Sequence, residues 1–138
     1  MFDHCLYFNT TALARRLERE WTEAFATFGL SPAQAFMLRV ILAKPGLLQR
    51  ELAADMSIAR STATRALDHL QAKGLVERSS RDGDAREISI SPTAKAHALY
   101  DALKLASAAV TNRLKKRLGS AEFGETVSKI SGVRSALE

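Results

Sequence analysis

The sequence holds one cysteine, Cys5, in 138 residues, so no internal disulfide framework stabilises the fold. Such sparing use of thiols fits a reducing compartment. Three histidines, His4, His69 and His97, fall in three separate segments, and the adjacent pair His4-Cys5 supplies too few ligands for a metal. There is no HExxH helix, GxSxG elbow, CxxC pair or Walker loop, which removes the commonest hydrolytic, redox and nucleotide chemistries. No apolar run approaches the ~20 residues needed to cross a bilayer, and FDHCLYFNTTALARR has no basic leader ahead of its apolar stretch. These absences predict a cytoplasmic protein without enzymatic activity, metal, cofactor or membrane partner. Cys5 is expected to behave as a small core hydrophobe.

Proline is also scarce. Its three occurrences, Pro32, Pro45 and Pro92, all fall where the pattern changes. Hydrophobic residues make up 46% of the chain, enough for one core, so a single domain over residues 1–138 is predicted. Leu6, Leu13, Leu17, Trp21, Phe25 and Phe28 recur at a mostly four-residue rhythm, the mark of an amphipathic helix, which Gly29 stops. Ser31-Pro32 opens a second helix to Ala43 with a serine cap and a proline at the first helical position. Pro45-Gly46 turns the chain. A short helix around 49–55 and a longer one around 59–73 follow, separated by Met56-Ser57-Ile58. Such a tight corner defines a helix-turn-helix, with Leu52, Ile58, Ala63, Leu67 and Leu70 as its core.

Gly74 ends the longer helix, and 75–78 and 86–90 read as two short strands around a loop with an Asp82-Gly83 turn signal. The predicted fold class is therefore mainly α with a small β-hairpin wing, a winged helix-turn-helix spanning 31–90. Ser91-Pro92-Thr93 opens the longest helix, to Leu118, and Gly119-Ser120 separates it from a last helix marked by Phe123, Val127, Ile130, Val133 and Leu137. Segments 1–30 and 91–138 carry more apolar surface than the central module can cover, which predicts a homodimer built from both chain ends. A compact monomeric bundle is the alternative.

The outward face of the second motif helix carries Arg60, Ser61, Thr62, Thr64, Arg65, Asp68 and His69. Arginine can take both acceptors of guanine in the major groove, which makes Arg65 the foremost base reader, with Arg60 and Ser61 beside it. Thr62 and Thr64 fall to the phosphates, and His69 to phosphate or base. In the wing, Arg81 and Arg86 suit a minor groove, with Asp82 and Asp84 holding the loop. Residues 57–90 contain six Arg/Lys and five Asp/Glu, a net +1 of the chain's +5, so individually placed arginines must carry binding. The surplus lies at Arg113, Lys115, Lys116 and Arg117, where it suits a helix C-terminus.

Leu30-Ser31-Pro32-Ala33-Gln34, Arg50-Glu51-Leu52-Ala53, the run Ser61 to Leu70, Lys73-Gly74-Leu75-Val76 and Arg78 through Arg86 together resemble, in order and spacing, the MarR family of bacterial transcription regulators. The resemblance covers nearly the whole chain. It implies a homodimer whose winged helices address a pseudo-palindromic site in double-stranded DNA. It also implies repression of nearby genes and release by a small aromatic effector. In this family the wing pair corresponds to Asp84 and Arg86, which makes Asp84 the orienting partner of a DNA-contacting Arg86. By the same analogy an effector pocket between the first, second and long helices draws on Trp21, Phe25, Phe36, Met37 and Arg39. Two departures stand out. Ser91-Pro92-Thr93-Ala94-Lys95 lacks the family's glycine, and Cys5 lies too early relative to Trp21 to match the family's peroxide-sensing cysteine. A winged-helix scaffold that binds protein instead of DNA is the competing function.

Overall fold

The computed structural model describes the backbone of residues 1–81 and 84–138 and the side chains of 1–80 and 87–138. The chain runs α1 (Leu6–Phe25), a 3-10 turn (Ala26–Phe28), α2 (Pro32–Ala43), β1 (Leu47–Leu48), α3 (Gln49–Met56) and α4 (Arg60–Ala72). It continues through β2 (Val76–Arg81), β3 (Asp84–Pro92), α5 (Ala94–Leu118) and α6 (Ser120–Leu137).

Local chemistry sets the ends of these elements. Ser31 Oγ accepts from the Gln34 amide at 3.2 Å while Gln34 Oε1 accepts from the Ser31 amide at 3.1 Å, a reciprocal cap in front of Pro32. Gly29 takes φ +67, a left-handed conformation that costs a residue with a Cβ, and turns α1 into α2. The start of α5 differs from expectation in one respect. Pro92 closes β3, and Thr93 caps the helix, its hydroxyl accepting from the Ala96 amide at 3.3 Å.

The same hydroxyl donates to the Gly74 carbonyl at 2.7 Å, and the Thr93 amide donates to the Leu75 carbonyl at 3.0 Å. Lys95 Nζ reaches the Lys73 carbonyl at 2.8 Å, and Lys73 Nζ donates to the Gly29 carbonyl. The C-terminal end of α4 is thus tied both to the foot of α5 and to the α1–α2 corner.

The sheet has three strands in the order β1-β3-β2, all antiparallel. Both hairpin strands exceed the expected spans, and β1 was not expected. Leu47 pairs with Ile90 and Leu48 with Ser89, while the Gly46 amide donates to the Ile90 carbonyl at 2.8 Å. A two-residue strand has no periodicity of its own and exists through its partner. The hairpin lengthens through cross-strand pairs such as the Ser79 and Ser89 hydroxyls, 3.0 Å apart. The Asp82-Gly83 turn signal lies outside the described residues.

One core joins these elements. Phe25, Met37, Leu38, Ile41, Leu52, Leu67, Leu70, Ile90 and Leu103 are each at most 1% exposed. Burial of each such side chain contributes about 1.5–3 kcal/mol. Ile58, expected inside, is half-buried at the corner.

At the other end, α6 buries none of its residues, and Leu6, Tyr7, Phe8, Val127, Ile130, Val133 and Leu137 are exposed. Cys5 is exposed too, contrary to its expected place in the core. It ends the chain's approach to α1, and its Sγ accepts from the Phe8 amide at 3.5 Å. Among the described residues no single helix is long and apolar enough to cross a membrane, and no group of His, Cys, Asp and Glu is arranged to hold a metal ion.

Candidate nucleic-acid interface

The corner between α3 and α4 is made by Ser57, which takes φ +54 and returns its amide to Ala54 at 3.1 Å, while the Ile58 amide reaches the Ala53 carbonyl at 3.0 Å. A left-handed residue closes α3 in the manner usual for a helix end, here without glycine. Beyond it α4 buries Ala63, Leu67 and Leu70, spaced four and three residues apart on one face. The opposite face exposes Arg60, Ser61, Thr62, Thr64, Arg65, Asp68 and His69 together. Among the described residues neither Arg60 nor Arg65 forms an ion pair, so both guanidinium groups keep their donors for an external acceptor.

Thr64 differs from its neighbours. Its hydroxyl donates to the Arg60 carbonyl at 3.0 Å and accepts from Gln49 Nε2 at 2.9 Å. A phosphate oxygen needs a donor, and the single hydroxyl hydrogen is already used within the helix. Thr64 is therefore a residue that fixes α3 against α4, a correction to its expected phosphate contact.

The wing is attached to this helix by a residue the sequence did not single out. Arg78, in β2, brings one guanidinium nitrogen to 2.6 Å from Asp68 Oδ1, and its Nε donates to Gln71 Oε1 at 2.6 Å. Asp68 and Gln71, three residues apart, lie on one edge of α4, so one planar guanidinium spans both. The pair offsets the one carboxylate on the exposed face of α4. The only sequence signal was an arginine in the first strand ten residues after an aspartate. Behind the wing, Arg50 of α3 lies 3.8 Å from Glu87 of β3. Arg81 stands opposite Asp84, with a register shift between Ser80 and Arg81. The expected roles of the Arg81, Asp84 and Arg86 side chains lie outside the described residues.

The five expected pocket residues do not converge. Phe25 is 0% and Met37 1% exposed, both packed in the core, because a helical apolar stripe does not distinguish a cavity wall from a packed interior. Phe36 and Arg39 line a recess of about 450 Å³ beside Tyr100, with the Arg39 guanidinium carbon 5.3 Å from the Phe36 ring centroid. Lys44 and Asp55 border the same recess and join α2 to α3 at 2.6 Å. The hydrogen bond to Asp55, followed by its charge, raises the Lys44 pKa above the usual lysine value. Trp21 belongs elsewhere, in a cavity between α1, α5 and α6, with its Nε1 donating to Ser107 Oγ at 3.1 Å.

A helix pair joined at a tight corner, an exposed second helix and a three-stranded wing clamped to it define a winged helix-turn-helix protein. Residues 28–87 match the sequence model of the MarR family, and the chain belongs to that family. An 82-residue stretch, 59% of this chain, is 32% identical to the HTH-type transcriptional repressor MdtR of Bacillus subtilis (strain 168), of which it covers 53%. The chain thus spans about half the length of that curated relative. The transcriptional regulator MosR of M. tuberculosis in complex with DNA superposes at a TM-score of 0.85 and 27% identity, over 97% of this chain and 96% of that one. The transcriptional repressor CouR bound to a 23-mer DNA duplex gives 0.88 and 25%, over 96% and 94%.

Proposed function

We propose that this chain is a sequence-specific DNA-binding transcriptional regulator, working as a homodimer on a pseudo-palindromic site and repressing nearby genes until a small ligand binds. The observation that carries the reading is the exposed face of α4, where Arg60 and Arg65 stand without ion pairs while Arg78 engages the neighbouring Asp68. In this reading α4 lies in the major groove and Arg65 takes both acceptors of a guanine. Arg60 and Ser61 contact bases near the start of the helix, and Thr62 and His69 contact phosphates. Arg81 and Arg86 of the wing enter the minor groove, with Asp84 orienting Arg86. MosR and CouR were solved on DNA and MdtR is a repressor, which supports both halves of the proposal.

The dimer rests on the exposed apolar residues of early α1 and of α6, which water would otherwise face. Ligand release rests on the recess at Phe36, Arg39 and Tyr100, which adjoins the Lys44–Asp55 contact between α2 and α3. A small aromatic effector there would favour a dimer whose two α4 helices no longer match the DNA, by population shift. Selection from random duplex DNA with purified protein at fixed salt, read by sequencing, tests the core of the proposal. An inverted repeat is expected. No enrichment by a folded dimer would overturn the DNA reading in favour of a protein-binding scaffold.

A further inference from the structure

The second cavity, remote from α4, carries its own chemistry. It encloses about 370 Å³ between α1, the end of α5 and α6, a volume within the range of small organic ligand sites. Leu17, Trp21, Leu114 and Phe123 supply apolar and aromatic walls. Because the indole nitrogen of Trp21 is already bonded to Ser107, its remaining surface towards the cavity is apolar.

The cavity's border is cationic. Glu20 is shared by two guanidinium groups, Arg16 at 2.8 Å and Arg113 at 3.7 Å, which leaves one positive charge in that trio. Arg117 lines the cavity and has no ion pair among the described residues, bringing the local balance to +2. Lys115 adds positive potential, its ammonium 5.7 Å from the Phe123 ring centroid. An apolar chamber bordered by uncompensated guanidinium calls for an occupant with an apolar body and one anionic head.

We propose that the α1–α5–α6 cavity is a binding site for a small anionic amphiphile, a carboxylate on an apolar chain or ring, with the carboxylate held by Arg117 and the body packed against Trp21 and Phe123. The site goes beyond the regulatory reading and does not depend on DNA binding. It is separate from the recess at Phe36 and shares Ile130 with the apolar groove between early α1 and α6.

Trp21 is the chain's single tryptophan, so intrinsic fluorescence of the full chain reads this cavity directly. The experiment titrates octanoate and, separately, 1-octanol of equal chain length, without DNA. Saturable change with both is expected, with octanoate preferred by about tenfold, the effect of a charge-assisted hydrogen bond. Arg117→Gln, an exposed position, should remove that preference and leave 1-octanol binding in place. Phe36→Ala, in the other recess, should change neither. No saturable change with octanoate, equal affinity for the two probes, or an Arg117→Gln effect that is the same on both would overturn the proposal. So would octanoate affinity that collapses as protein concentration drives self-association, since a second copy would then be the occupant.

Discussion

Arg78 reaches back from the first strand of the wing to Asp68 of α4, their atoms 2.6 Å apart, while its Nε holds Gln71 at the same distance. Asp68 is 58% exposed and Arg78 22%, so water screens the pair from one side. Its value to stability is therefore modest, and its value to geometry larger, because it fixes the wing's angle to the helix proposed to read DNA.

Arg78→Ala should lower unfolding free energy by about 1 kcal/mol or less, the range of partly exposed pairs. Operator affinity should fall further, by about tenfold, since the wing loses its register and Asp68 regains an unbalanced charge beside DNA. Denaturant melts paired with anisotropy on a selected duplex measure both. Unchanged affinity would remove Arg78 from the interface.

Arg65→Ala should cost about 1–3 kcal/mol of binding to the selected site while leaving binding to a scrambled duplex nearly unaltered. The fold should survive, because Arg65 is exposed and makes no ion pair among the described residues. Changing Arg65 and Arg86 together should abolish specific binding. Retained affinity in that double variant, with fold and dimer intact, would sink the contact assignment.

Thr62 and Thr64 should separate cleanly. Thr64→Val removes the hydroxyl that receives Gln49 and should cost about 1 kcal/mol of stability, with little effect on the salt dependence of DNA binding. Thr62→Val should do the reverse, weakening binding to all duplexes alike with little change in the thermal midpoint. Identical behaviour of the two would show that Thr64 contacts DNA after all.

Val133→Asp places a charge on the exposed apolar face of α6. Sedimentation should show a monomer with wild-type helicity, and affinity for a two-half-site operator should drop steeply. A dimer that persists would move the seam elsewhere.

Lys44 offers a pH test. Its pKa is raised in the folded chain by Asp55, so its contribution is complete below the usual lysine value and is lost as pH rises through the folded value. The stability difference between wild type and Lys44→Met should hold constant from neutral pH until above 10.5 and then close. A difference that closes near neutral pH would exclude the Asp55 contact as its source.

Elements fixed by neighbours in sequence were legible: the Ser31-Pro32 cap, the stops at Gly29, Gly74 and Gly119, and the buried face of α4 all follow from spacing within one turn. Features fixed by distant partners were not. Leu47-Leu48 becomes a strand only against Ser89-Ile90, and Arg78 meets Asp68 only after the chain has reversed. Phe25 and Phe36 carry the same side chain, yet one is wholly buried and the other opens on a recess, a difference set by what packs against each helix. The outward arginines of α4 were legible because the helical period alone puts them opposite Leu67 and Leu70.

The ties at the end of α4 have a metrical consequence. Lys73, Lys95 and Thr93 pin that helix to the foot of α5, so it cannot swivel alone to suit a poorly spaced target. In the proposed dimer the separation of the two reading heads then becomes a gauge set at the seam between subunits. The protein would measure the number of base pairs between half-sites as strictly as it reads the bases, and would reject an operator lengthened by a single pair.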